Sequence, residues 1–259
     1  MLCGIRNIDN AKVFASASEK REGPFSCPGC SGELILRKGK IKIHHFAHKP
    51  PYNCNRGEGE TEGHRKCKES IYRALANRSN VSYLDVEADF GCVVADVYAV
   101  INNVPVAIEV QRSKLSVNEI TRRTSEYNRL GVNVLWLALF KEKLNNDKYS
   151  PCAWEKWCHA VYFGRVYYWL TELTVVPVHF SDYQLYVEES TWYESGGYER
   201  TEGGYYRTSK RYKTPNAGYN VDIATSFSPI QKKSWRGGSV YIPDCRIYLD
   251  NQRTWWKKA

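Results

Sequence analysis

Three polar residues set inside two otherwise apolar runs could do chemistry in this sequence. "CVVADVYAVI" (residues 92–101) holds Asp96 near its middle, and "VPVAIEVQ" (104–111) holds Glu109 and Gln111. Successive side chains of a strand alternate faces, so Glu109 and Gln111 point one way while Val106, Ile108 and Val110 point the other. If the two runs pair as neighbouring strands, the carboxylates of Asp96 and Glu109 can approach one another. Two like charges buried together are costly unless a proton or a cation intervenes. A divalent metal resolves the cost, and hard cations such as Mg²⁺ take oxygen ligands of this kind. The competing reading pairs either acid with Arg112, Arg122 or Arg123, which suits one isolated acid better than this constellation.

A second group of residues has the chemistry of a softer metal. Cys27 and Cys30 form a C-x-x-C knuckle in "FSCPGC", and His44, His45, His48 and Cys54 follow. Zn²⁺ wants four tetrahedral N or S ligands, and a knuckle with a downstream ligand pair supplies them without a large core. Two ligands are Cys27 and Cys30; the other two are drawn from His45, His48 and Cys54. Four protein ligands close such a site, so zinc here would be structural. Reduced thiols and hydrated histidines are the alternative. The nine cysteines are an odd number, several inside apolar runs, which is not the spacing of a secreted disulfide framework. Cys152, Cys158, His159 and His179 do not make a second metal set.

The elements that must position these groups follow from periodicity. "ELILR" and "KIKIH" predict a short hairpin around Gly39 behind the knuckle. "GEGETEGHRKCKESIYRALANR" predicts a helix with Cys67, Ile71, Ala74 and Leu75 on one side. On it Glu60, His64 and Lys68, spaced by four, would form a stripe, which an ordinary solvated face would also show. Three strands come next: 81–90, 92–101 and 104–111, the last two joined by a tight turn at Asn102-Asn103. "SVNEITRRTSEYNRLG" is a second helix, with an S-x-x-E capping box at Ser116 and Glu119 and Gly131 at its end. "VNVLWLAL" is a strand buried on both faces. The order is helix, three strands, helix, strand.

The chain has 259 residues, 42% of them hydrophobic and 14% aromatic, so it can bury a sizeable core. No apolar run reaches membrane-spanning length, and the first residues do not read as a signal peptide; the expectation is a cytoplasmic protein. The net charge is +9 and is uneven: residues 200–259 carry 12 Lys and Arg against 4 Asp and Glu. A basic tail interleaved with Tyr and Trp suits a polyanion partner, and a solvated surface is the plainer alternative. Trp154, Trp157, Tyr167 and Trp169 read as packing against the core, whereas Arg207, Lys210, Arg211 and Lys213 read as nucleic-acid contacts.

The sequence resembles the competence protein CoiA-like family, whose nuclease domain belongs to the PD-(D/E)XK superfamily. The resemblance rests on "CPGC…HHFAH", "ETEGHRKCK", "ADVYAV", "VAIEVQRSKLSVNEITRRTSEY" and "GVNVLWL", and extends into "WEKWCHAVYFGRVYYW". It implies an α/β, restriction-endonuclease-like core (α-βββ-α-β, mixed sheet) with a small N-terminal zinc-binding module and an aromatic, basic C-terminal region. The expected division is 1–57, 58–145 and 146–259. By this resemblance Asp96 and Glu109 would hold Mg²⁺ or Mn²⁺, with the Val110 carbonyl as a further oxygen. Gln111 would stand where the superfamily usually has Lys; it cannot act as a base and would orient water or the metal shell. Glu60 would be an accessory acid with Glu62 as its rival, and His64 and Lys68 would lie beside the scissile phosphate. Arg112, Lys114, Arg122 and Arg123 would add positive field along the backbone. The implied activity is hydrolysis of DNA, single- or double-stranded, in DNA processing, recombination or defence against foreign DNA. A non-cleaving DNA-binding factor is the alternative. A homo-oligomer or a partner DNA-processing protein fits either reading.

Overall fold

The computed structural model describes residues 1–51, 54, 60–111, 115–237 and 240–257. Five short strands open the chain: β1 (Cys3–Arg6), β2 (Ala11–Phe14), β3 (Phe25–Ser26), β4 (Glu33–Arg37) and β5 (His45–His48). They form one sheet in the order β2-β1-β3-β4-β5. Alternation in "ELILR" buries Leu34 and Leu36 and turns Glu33, Ile35 and Arg37 outward. The small core beneath, with Phe25, Leu34, Leu36 and Phe46 at its centre, is separate from the main one. So thin a core is a setting in which a structural metal contributes to folding. The hairpin partner differs from the expected one. "KIKIH" alternates well, yet all five of its residues lie in the loop between β4 and β5, and the strand is "HFAH". Pairing Leu34 with His48 brings that histidine back towards the knuckle.

The main body follows in the expected order. Helix α1 (Glu62–Ala76) is capped by the Thr61 hydroxyl, which accepts from the His64 N–H at 3.4 Å. Its apolar side buries Cys67, Ile71 and Leu75. Strands β6 (Val81–Asp89), β7 (Val94–Ile101) and β8 (Val104–Gln111) make an antiparallel meander. The turn between β7 and β8 places Asn102 and Asn103 at φ 49° and 64°, the left-handed region that asparagine tolerates in two-residue hairpins. Helix α2 (Val117–Arg129) starts at Ser116, whose hydroxyl accepts from the Glu119 N–H at 3.1 Å. Only half of the expected capping box forms, because the Glu119 carboxylate turns to Arg122. Strand β9 (Asn133–Leu139) then pairs parallel to β8 and is buried along nearly its whole length.

The sheet continues past residue 145. Helix α3 (Ala153–Val161) leads to β10 (Val166–Thr171), parallel to β9, and to the 14-residue β11 (Thr174–Val187). A small hairpin of β12 (Ser190–Tyr193) and β13 (Glu199–Glu202) precedes β14 (Tyr205–Ala217), which returns along β11. The last strands are β15 (Val221–Asp222), β16 (Phe227–Lys232), β17 (Trp235–Gly237), β18 (Val240–Ile242) and β19 (Cys245–Asp250). The large sheet is thus mixed, with the path β14-β11-β10-β9-β8-β7-β6 and with β19 joining β9. Trp154, Trp157 and Tyr167 are buried in its core and Trp169 packs against it. No helix among the described residues is long and apolar enough to cross a membrane.

Candidate functional site

Register places three acids side by side. Glu87 and Asp96 fall in the gap of the β6–β7 ladder between the pairs Val86↔Val97 and Ala88↔Ala95. Asp96 and Glu109 fall one step beyond Val97↔Ile108, the last pair of the β7–β8 ladder. The strands part at that point, and the Val110 N–H donates to Asp96 Oδ2 at 2.9 Å. Glu87 breaks the ladder on the other side with φ 51°, a conformation that costs an L-residue of this kind of order 1–3 kcal/mol.

Helix α1 supplies cations to this row. Lys68, expected beside a phosphate, is only 3% exposed and is held by carboxylates instead. Its ammonium pairs with Glu60, lies 2.8 Å from Glu87 Oε1 and 3.6 Å from Asp96 Oδ1. His64 Nε2 lies 3.0 Å from Asp96 Oδ2 and its Nδ1 3.9 Å from Glu60. Glu60 precedes the helix rather than sitting on it, and the Met1 ammonium lies 3.0 Å from its Oε2. Its rival Glu62 is exposed. Burial opposes the charge on Asp96, but His64 and Lys68 outweigh it and hold the carboxyl below the usual carboxylate range. Burial likewise opposes the charge of Glu60, and Lys68 with the Met1 ammonium keeps that carboxyl low.

Helix α2 treats Glu109 differently. Its Oε1 accepts from Arg123 and from the Tyr127 hydroxyl, and the side chain is 1% exposed. Burial pushes this carboxyl up to about 7; Arg123 opposes the rise and the neighbouring Asp96 charge adds to it. Arg123 also donates to the Val94 carbonyl at 2.9 Å and lies over the Trp136 ring. Arg122, one position earlier, is paired with Glu119 on the surface. Gln111 ends β8, half-buried, in register with Ala138. Arg112 and Lys114 lie outside the described residues. Arg207, Lys210 and Arg211 are exposed on β14, on the C-terminal ribbon, while Lys213 pairs with Asp182 at 2.6 Å.

The donor set between β7 and β8 is all oxygen: two carboxylates, one ionised and one destabilised by burial and like charge. Oxygen donors of this kind could hold a hard divalent cation in place of the His64, Lys68 and Arg123 contacts they make here. Sequence reasoning missed two members of the site, Glu87 and Tyr127. Tyr127 lies four positions after Arg123 on one face of α2, a spacing that could have signalled it. Nothing local signals Glu87.

The second centre is in the N-terminal sheet. One ligand atom each from Cys27, Cys30, His48 and Cys54 lies within 4.8 Å of the others. The knuckle is preformed: Gly29 N–H points at Cys27 Sγ at 3.4 Å, and Ser31 takes φ 57° as its N–H returns to the Cys27 carbonyl. Three thiols and an imidazole at this separation can bind a structural metal such as zinc. His48 and Cys54 therefore complete the set left open by the sequence. His45 does not join it; its Nδ1–H donates to the Ile43 carbonyl at 2.8 Å.

Comparison with known proteins adds to this geometry. Residues 9–56 match the family model described as "Competence protein CoiA, N-terminal domain", and residues 60–163 match "Competence protein CoiA, nuclease-like domain". A curated relative, Competence protein CoiA of Bacillus subtilis (strain 168), is 29% identical over 114 residues. That match covers 44% of this chain and 31% of the relative, so the chain matches about a third of that protein's length. No solved structure matches. The two matched segments are those that carry the Cys/His cluster and the row of acids, and together with the curated relative they show that the chain belongs to the CoiA-like family.

Proposed function

We propose that the chain is a Mg²⁺- or Mn²⁺-dependent nuclease that hydrolyses phosphodiester bonds in DNA, with a PD-(D/E)XK-type centre at Asp96 and Glu109. The observation that carries this reading is the meeting of these two acids where β7 and β8 part, with one kept ionised and the other raised to about 7. Asp96, Glu109 and the Val110 carbonyl would hold the metal. When bound, it would lower the pKa of a water and neutralise charge developing on the phosphate. The chain's own groups have distinct tasks. The Val110 N–H and His64 fix the orientation of Asp96. Tyr127 and Arg123 hold Glu109 in place inside the sheet, and Gln111 orients a water by hydrogen bonding without serving as its base. Lys68 pairs with Glu60, Glu87 and Asp96 and holds α1 against the sheet.

The structural zinc would fold the N-terminal module, and a role in competence follows from the name of the curated relative. Gln111 in place of the usual Lys favours a second reading, a DNA-binding factor that does not cleave. One experiment separates the two. The zinc-loaded chain is incubated with end-labelled single- and double-stranded DNA, with and without Mg²⁺ or Mn²⁺. The nuclease reading expects metal-dependent products whose rate falls at least about a hundredfold in Asp96→Asn. Cleavage that survives this substitution places the chemistry elsewhere, and binding without turnover selects the second reading.

A further inference from the structure

We infer that the outer face of the β4–β5 hairpin is a binding groove for the phosphodiester backbone of a nucleic acid. A groove of about 900 Å³ lies on this face, between the strands, the loop that joins them and Lys20. Lys20, Arg37, Lys40 and Lys42 line it together with Lys38, and no carboxylate does. Residues 37–49 hold five Lys and Arg and no Asp or Glu. Among the described residues these four cations have no ion-pair partner, whereas Lys38 is anchored to the Ser18 carbonyl and Glu19 and so fixes the loop. Between the charges sit Ile35, 37% exposed, and Ile41, 93% exposed. Exposed apolar side chains framed by unpaired cations suit a polyanion whose bases also present apolar faces.

The position of the groove favours nucleic acid over an acidic peptide. Its floor strand β5 is tied to the first residue by the Phe46 N–H, which donates to the Met1 carbonyl at 2.9 Å. Burial lowers the pKa of His45, which lines the groove, and the Arg65 charge adds to the fall. Arg65 donates to the Glu60 carbonyl at 2.7 Å, next to His64 and the acids. The module is held to β6 by Lys12, 2.7 Å from Asp85, and by Glu87, which accepts from the Leu2 and Cys3 N–H groups. These contacts join the module that carries the groove to β6, which carries Glu87, and to the helix that carries Lys68. The inference takes its ligand class from the nucleic-acid reading above but does not depend on cleavage.

The other occupant to consider is the acidic hairpin tip of a second copy, where Glu188, Glu189, Glu194, Glu199 and Glu202 cluster. Binding of labelled 30-nucleotide single- and double-stranded DNA to the full zinc-loaded chain is measured by anisotropy, from 50 to 300 mM salt, without added Mg²⁺ or Mn²⁺. In Lys40→Gln/Lys42→Gln, affinity at 100 mM salt falls about five- to tenfold, and the salt slope flattens by about 1.4 units for single strands or 1.8 for duplex. The arm with the larger loss identifies the preferred strand form. Lys40→Ala/Lys42→Ala serves if the first variant loses zinc, and Lys156→Glu on the exposed side of α3 changes binding by less than about twofold. Unchanged affinity and slope in a folded variant overturn the inference. So does an equal loss in Lys156→Glu, failure of the wild-type chain to bind DNA, or a dimer that the variants abolish while DNA binding persists.

Discussion

The Lys68 ammonium lies 2.8 Å from Glu87 Oε1, and the same carboxylate accepts the Leu2 N–H at 2.8 Å and the Cys3 N–H at 3.1 Å. One buried acid thus joins the start of β1 to the helix that carries His64 and Lys68. Glu87→Ala leaves two N–H groups without their acceptor and strips Lys68 of one counter-charge. The expected cost is about 3–5 kcal/mol, read as a shift of the urea midpoint. Glu87→Gln keeps an acceptor and costs less, and Glu62→Ala, at an exposed position, changes stability by less than about 0.5 kcal/mol. A Glu87→Ala midpoint equal to wild type would mean that the contact does not couple the two parts.

Elemental analysis checks the Cys/His centre. The account expects about one zinc per chain, lost in Cys27→Ser, His48→Ala and Cys54→Ser and kept in His45→Ala. Chelation should unfold the small sheet first, because its own core is thin. Zinc retained in Cys54→Ser, or lost in His45→Ala, contradicts the ligand set.

Stability should fall with pH through a buried histidine. His159 accepts the Phe180 N–H at Nε2 and faces His179, so both rings are held against protonation. Burial, with help from His179, brings His159 down to about 4 from the usual 6.5. The unfolded chain therefore binds the proton more readily than the folded one between these values. Stability from this group is complete above about pH 6.5 and is lost as pH falls towards 4, by up to about 3 kcal/mol. His159→Leu pays a pH-independent cost for the lost acceptor but should decline less steeply than wild type between pH 7 and 4.5. Parallel midpoint curves for the two proteins would remove His159 as the cause.

Local patterns made much of this molecule legible. Alternation in 94–111 placed Asp96 and Glu109 in strands that the structure makes neighbours, and Ser116 and Gly131 bracketed α2. Glu87 was out of reach. It sits in a run that reads as an ordinary strand, and its role arises from a left-handed backbone angle and from partners about 85 residues away. The zinc hairpin failed for a related reason: "KIKIH" has the better alternation, but the register that brings His48 to Cys30, 3.4 Å apart, selects "HFAH". The long β11–β14 ribbon extends the main sheet through pairings that no local spacing announces.

Under the proposed function, Asp96 and Glu109 grip one divalent cation between β7 and β8. Titration of the zinc-loaded chain with Mn²⁺, followed by electron paramagnetic resonance, tests it without requiring turnover. The account predicts one Mn²⁺ site in the wild-type chain, weakened at least about tenfold in Asp96→Asn and again in Glu109→Gln, with zinc content unchanged. Equal Mn²⁺ affinity in all three proteins would contradict it.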